Sequence, residues 1–257
     1  MKFASVNGIK QEALRSGERG ECICCGSETV AHCGNYNVHH WKHKTLQECD
    51  TWYEPETEWH RNWKNQFPEP FQEVVKFDSR TGEKHIADIF HPSRELTIEF
   101  QHSPISDEEI RSRETFYSNL IWVVNVIPYS SNIFFHKDIE TEFFECIIMP
   151  WATNQDKIVR DLRKKGDKNA IDDHFKNNSG DKYIDYFREK YNDYNQKENY
   201  YLMQWKYQHK RWNFTNCPIF FDLGDGFLYM SIESIKIWNG FVVKRFNKES
   251  FIERFLF

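Results

Sequence analysis

The stretch HIADIFHPSRELTIEFQHS, residues 85–103, decides how this chain is read. Two short apolar runs flank a break at HPSR. Each carries a carboxylate where a core strand would hold an apolar residue: Asp88 in IADIF and Glu99 in LTIEFQ. A buried carboxylate costs several kcal/mol unless a partner offsets it. In the second run Leu96, Ile98 and Phe100 alternate with Glu95, Thr97, Glu99 and Gln101, so Glu99 and Gln101 share one strand face. A hairpin around HPSR brings Asp88 beside them. Two carboxylates and an amide then converge, and a divalent cation relieves the repulsion. Hard oxygen donors suit Mg2+ or Mn2+, and such an ion serves phosphodiester hydrolysis. The competing reading puts Asp88 and Glu99 on a wet strand face, paired with Arg or Lys, and makes Gln101 an ordinary surface residue.

Outward from this stretch, FQEVVKFD (71–78), KHIADIF (84–90) and ELTIEFQ (95–101) read as three strands. Residues 51–69 predict a helix after Pro55, with Trp59, Trp63 and Phe67 on one face and Glu56, His60 and Lys64 on another. From there Glu56 could reach a metal and His60 could position a water or a phosphate; the alternative is a solvated Glu–His–Lys face. SDEEIRSRETFY (106–117) opens on an S-x-x-E capping box and predicts a second helix. LIWVVNVI (120–127) is a continuous apolar run, as in a fully buried strand. Helix, three strands, helix, strand is an α/β sandwich around a mixed sheet.

The chain has 257 residues, 39% of them hydrophobic and 17% aromatic, enough to bury a core. No run nears the roughly 20 apolar residues that span a bilayer, and the first residues lack the apolar region of a secretory signal, so a cytoplasmic protein without membrane contact is expected. The net charge of −5 supplies no global attraction to nucleic acid. Residues 157–211 have a modest basic excess with interleaved rings, Tyr183, Tyr186, Phe187, Tyr191, Tyr194, Trp205 and Tyr207, and Trp212 follows. They suit either a nucleic-acid groove or an amphipathic helical cap.

Residues 1–19 are polar and read as loosely ordered. Of seven cysteines, Cys22, Cys24, Cys25 and Cys33 crowd into twelve residues. Cys22-x2-Cys25, followed after fourteen residues by His40-x2-His43, has zinc-site spacing. Cys24, Cys33, His32 and His39 compete as ligands. A structural Zn2+ would contribute about 10–16 kcal/mol of apparent binding free energy to a segment too poor in aliphatics for its own core. Three regions follow: 1–50 with the Cys/His element, 51–150 as the α/β core, and 151–257 as a helical basic and aromatic cap with a C-terminal β element and a last helix from Lys248.

In this order, ECICCG with HHWKHK, ETEWHRNWK, and HIADIF with LTIEFQHSPISDEEIRSRETFYSNLIWVVN resemble the competence protein CoiA-like nucleases, a branch of the PD-(D/E)xK restriction-endonuclease-like superfamily. The tail PIFFDLGDGFLY with VVKRFNKESFIERF is similar to the C-terminal segment of that family. The resemblance implies an αβββαβ core, an N-terminal zinc-binding-like element and a C-terminal α+β extension. It implies a metal-dependent deoxyribonuclease in which Asp88 and Glu99 bind the metal, Gln101 stands where the superfamily usually has Lys, and Glu56 and His60 match a helix motif. Thr57 replaces the usual Ser of that motif, and Ile23 replaces a usual Pro between Cys22 and Cys25. Gln orients a water only through hydrogen bonds, so a catalytically weak DNA-binding subunit is the alternative. The expected partners are DNA, further subunits of a DNA-uptake, recombination or phage-defence complex, and a second copy of the chain.

Overall fold

The computed structural model describes residues 1–36, 38–45, 49–52, 54–137, 161–162, 164–170, 173, 189, 191–206, 212, 215–235 and 240–256. The chain forms two compact units. One comprises Met1–Ile127, Phe214–Leu228 and Asn247–Phe257, the other Pro128–Asn213 and Tyr229–Phe246. These units cut across the boundaries at 50 and 150 suggested by composition.

The first unit begins with strands where a loose tail was expected: β1 (Phe3–Val6) and β2 (Ile9–Glu12) pair antiparallel across the Asn7-Gly8 turn. With β3 (Arg19–Glu21), β4 (Glu28–His32) and β5 (His40–His43) they form a sheet in the order β2-β1-β3-β4-β5. The Trp41 N–H donates to the Met1 carbonyl at 2.9 Å, which joins β5 to the start of the chain. What makes 1–19 fold is burial that its own composition does not advertise. Met1, Ala4, Ala13, Cys22, Cys24 and Ala31 pack around the fully buried Trp41. Gly20 is required there, because a Cβ would stand 3.0 Å from the Ser5 carbonyl oxygen and 3.1 Å from the Trp41 ring. One indole among alanines makes a small core, consistent with a segment that needs a staple.

The expected order of helix, three strands, helix and strand is present. Helix α1 is Glu58–Lys64, then come β6 (Gln72–Phe77), β7 (Lys84–His91), β8 (Leu96–Gln101), α2 (Asp107–Tyr117) and β9 (Leu120–Asn125). The later strand β12 (Ile219–Asp222) completes this sheet, in the order β12-β9-β8-β7-β6. β8, β9 and β12 run parallel, whereas β6, β7 and β8 alternate in direction, so the sheet is mixed. β9 lies between β12 and β8 and its apolar run is largely buried, as expected of a strand covered on both faces. Helix α1 is shorter than its periodicity predicts, because Thr57 takes the N-cap and accepts from the His60 N–H. Glu56 therefore precedes the helix instead of sharing its face with His60 and Lys64. Trp59 and Trp63 donate their indole N–H groups to Asp222 at 3.0 and 2.8 Å, and Trp63 stacks on Phe100. Ser106 caps α2 by accepting the Glu109 N–H, but the Glu109 carboxylate turns to Arg113 one turn on rather than closing the capping box. The last helix, α3 (Lys248–Leu256), starts where expected, and its Phe251 and Phe255 pack edge-on against Trp63 and Phe67.

The second unit carries β10 (Ile133–His136), β11 (Tyr200–Trp205), β13 (Phe227–Ile235, from Tyr229 on) and β14 (Gly240–Asn247, to Phe246) in the order β10-β11-β14-β13. Of the rings proposed to stack on nucleic acid, Tyr191 and Trp205 are buried here and belong to its core. Tyr194 instead stacks on Tyr200. Tyr183, Tyr186, Phe187 and Tyr207 lie outside the described residues. Among the described residues, no helix is long and apolar enough to cross a membrane.

Candidate functional site

The register Ile89↔Ile98, Phe90↔Thr97, His91↔Leu96 makes the hairpin around HPSR and sets Asp88 beside Glu99. At that level side chains replace the ladder. Asp88 Oδ2 accepts the Phe100 N–H at 2.9 Å, and Glu99 Oε1 accepts the Asp88 N–H at 3.3 Å. The polar face of β8 is not wet: Thr97, Glu99 and Gln101 are all buried, Gln101 to 1% exposure. Both carboxylates do have cationic partners, as the competing reading held, but under cover instead of in solvent.

Those partners come from the two helices. Lys64, at the end of α1, places Nζ 3.1 Å from Glu56 Oε2, 2.9 Å from Glu73 Oε1 and 3.0 Å from Asp88 Oδ1. Burial alone would lower its pKa, but Asp88, Glu56 and Glu73 outweigh burial and hold the ammonium well above its ordinary range. Arg113, from α2, reaches Glu99 Oε2 at 3.0 Å and is held by Glu109 and the Trp52 carbonyl. Burial and the neighbouring Asp88 still push the Glu99 carboxyl up to about 8, against the pull of Arg113. Glu73 goes the other way. Burial opposes its charge, yet Lys64, the terminal ammonium and the N–H groups of Lys2 and Phe3 bring it down to about 2. It reaches those groups because φ is +44° at Glu73, a left-handed backbone that costs a non-glycine residue about 1 kcal/mol. A cavity of about 260 Å³ opens over these groups, lined among others by Glu56, Lys64, Glu73, Asp88, Glu99 and Arg113.

Gln101 and His60 are placed close by but not as expected. Gln101 Nε2 is turned to Glu54 and to the Ser103 carbonyl, and its Oε1 has no hydrogen-bond partner. His60 is buried with Nε2 2.7 Å from the Phe100 carbonyl and Nδ1 3.0 Å from Thr57 Oγ1. Burial lowers its pKa, so it is a neutral imidazole pinned between two elements. Both ring nitrogens are engaged by protein atoms, so a phosphate-holding role has no free nitrogen. Glu73, Arg113 and Glu54 were not signalled by sequence, since nothing local distinguishes them from surface charges. Lys64 was visible on its helix face but carried no assigned role.

The Cys/His element converges in part as expected. Cys22, Cys25, His43 and Cys49 place ligand atoms within 4.8 Å of one another. Cys25 Sγ lies 3.4 Å from His43 Nε2, and Cys22 Sγ lies 3.5 Å from Cys49 Sγ. Burial alone would raise the Cys25 thiol, but hydrogen bonds with Ser27, Cys49 and His43 bring it to about 6. The tight turn after Cys22 uses Gly26 at φ +73°, and the Cys24 N–H points at Cys22 Sγ. His40 is not in the cluster, and this corrects the spacing argument. Residues 40–43 form a strand, and positions three apart on a strand face opposite sides. His40 bonds the Val38 carbonyl and stacks on His32 instead. Cys49 takes its place, and the signal for it was a remaining cysteine six residues after His43. The next residue, Asp50, accepts from the Ile86 N–H at 2.9 Å and bonds His85 Nδ1 at 2.8 Å, which ties this element to the strand bearing Asp88.

A second convergence is Glu54, His60 and His102, again within 4.8 Å. These two groups are where the described residues could hold a metal with three or more His, Cys, Asp or Glu ligands. No family model, curated protein or solved structure matches the chain.

Proposed function

We propose that this protein is a Mg2+- or Mn2+-dependent deoxyribonuclease built on a restriction-endonuclease-like core, with a structural Zn2+ in its N-terminal sheet. The observation that carries the reading is the meeting of Asp88, Glu99 and Lys64 over one cavity, at the point where side chains replace the β7–β8 ladder. The donor set fits a hard divalent ion. Glu99 is a buried carboxylate whose charge Arg113 leaves undercompensated, and a cation shared with Asp88 would correct that. Such an ion supplies an activated water and neutralises charge on the scissile phosphate.

The protein's own groups then divide the work. Asp88 and Glu99 would hold the ion, and Arg113 orients Glu99. Lys64 spends its three N–H groups on Glu56, Glu73 and Asp88. If Asp88 bound a cation, the Lys64 N–H now 3.0 Å from it would be free to hold a phosphate oxygen or a water in the cavity. That assigns to Lys64 the cationic role that Gln101 lacks, and leaves Gln101 Oε1 as an acceptor. For the N-terminal site, Cys22, Cys25, His43 and Cys49 suit tetrahedral zinc with no open position.

The alternative is a DNA-binding subunit with weak or no chemistry, working with other subunits in DNA uptake, recombination or phage defence. It is favoured by the same saturation of Lys64, because a site already satisfied by protein partners resists activation. Cutting of plasmid and single-stranded DNA in Mg2+ or Mn2+ separates the two. We expect wild type to cut and Asp88→Asn and Glu99→Gln each to lose at least about a hundredfold, roughly 2.7 kcal/mol of barrier. Undiminished cutting by both variants overturns the assignment. DNA binding without cutting by wild type selects the alternative.

A further inference from the structure

We infer that Glu54, His60 and His102 form a second metal site, separate from the Asp88–Glu99 pair and from the cysteine cluster, which takes one divalent transition ion such as Zn2+, Co2+ or Mn2+. Glu54 Oε1 is occupied by Gln101 Nε2 and the Ser103 hydroxyl. Glu54 Oε2 is buried with no hydrogen-bond partner, and it stands 4.0 Å from both His60 Nε2 and His102 Nδ1. The two imidazole rings are neighbours, with centroids 4.7 Å apart and planes tilted by 56°. His102 Nε2 and Gln101 Oε1 are likewise buried and unpartnered. A buried carboxylate oxygen without a partner is costly, and a cation held between Glu54 Oε2, His60 Nε2 and His102 Nδ1 satisfies it.

The spacing fits. Ligand atoms about 2.1 Å from a common ion stand about 3–3.6 Å from one another, so the 4.0 Å separations from Glu54 Oε2 close on an ion with roughly half an ångström of side-chain adjustment. His60 is held for this role by its other nitrogen. Thr57 Oγ1, 3.0 Å from Nδ1, can accept a hydrogen bond from an Nδ1–H as readily as it donates one to a bare Nδ1. To bind an ion through Nε2, His60 would shift its ring proton to Nδ1, giving up the contact of Nε2 with the Phe100 carbonyl at 2.7 Å and donating to Thr57 instead. Two imidazoles and one carboxylate favour borderline transition ions over Mg2+. Three side-chain ligands leave positions open to water, unlike the cysteine site.

The inference does not rest on the nuclease reading, and its test reads metal binding alone. Co2+ is titrated into full-length protein already loaded with one equivalent of Zn2+ at the cysteines. We expect one further equivalent with visible d–d absorption and no thiolate charge-transfer band, undisplaced by excess Mg2+. Glu54→Gln and His102→Ala should each weaken it by at least about tenfold while zinc content and circular dichroism stay as in wild type. Absence of the further equivalent in wild type, or its persistence unchanged in both variants, overturns the proposal. If a variant fails to fold, the 15N imidazole resonances of wild type decide. Zn2+ beyond the first equivalent must shift those of both His60 and His102, and silence of either overturns the site.

Discussion

The cysteine cluster of the N-terminal sheet gathers three thiols and an imidazole that touch one another only through weak contacts of sulfur, and among the described residues no charged group joins them. The carboxylate cluster a few residues away along the same cavity is different. Glu56, Glu73 and Asp88 close around Lys64, and Glu99 meets Arg113, so its carboxylates already have cationic partners from the protein, though Arg113 only partly offsets Glu99. On the proposed reading an ion would complete the first region and would be an addition to the second. A metal that holds a fold together and one that does chemistry differ in how complete the site is without it.

The largest effect should come from emptying the first region. Cys49→Ser is expected to lose the bound zinc and, with up to about 10 kcal/mol or more of binding free energy gone, to unfold β1–β5. His40→Ala should keep a full equivalent. Elemental analysis and amide hydrogen exchange check both, and a Cys49→Ser protein that retains zinc breaks the comparison. Next is the cation of the second region. Lys64→Met leaves three carboxylates facing one another and should cost about 3–5 kcal/mol in urea unfolding, with no dependence on added zinc. Unchanged stability would mean that Lys64 does not hold the cluster.

The smallest effect sharpens the second region further. The Glu99 carboxyl, raised to about 8, binds its proton more tightly folded than unfolded. Stability should therefore fall as pH rises from the ordinary carboxylate range toward 8, by at most about 1.4 kcal/mol per pH unit. Glu99→Gln should flatten this slope in urea unfolding between about pH 6 and 8, and a slope identical in both proteins refutes it. Glu73 has the opposite sign. Held at about 2, it stabilises the fold above the ordinary carboxylate pKa, and that contribution is lost as pH falls through about 2.

Much of this was legible locally. The alternation at 95–101, the continuous run at 120–127 and the Ser106 cap each express a periodicity or a hydrogen bond within a few residues, and each appears as an element. The convergence of Cys22, Cys25 and His43 was legible from short-spaced Cys and His pairs, whereas His40 lies outside it because a strand, not a turn or helix, carries it. Glu73 was not legible at all: a left-handed residue within FQEVVKFD aims its carboxylate at partners some seventy residues away in sequence.

By itself, the sequence determined that this chain is an α/β protein with a hairpin bearing two misplaced carboxylates and a cysteine-rich element in need of a staple. Those features depend on hydrophobic period, turn chemistry and residue type, which act over short stretches. Only the tertiary structure decided that Lys64 and Arg113 offset the carboxylates, that Cys49 rather than His40 completes the thiol cluster, and that Glu54 meets His60 and His102. Charge compensation and ligation depend on distances of about 3–5 Å between residues far apart in the chain. The packing of α1, α2 and the N-terminal sheet on β6–β8 sets those distances, and no local pattern encodes them.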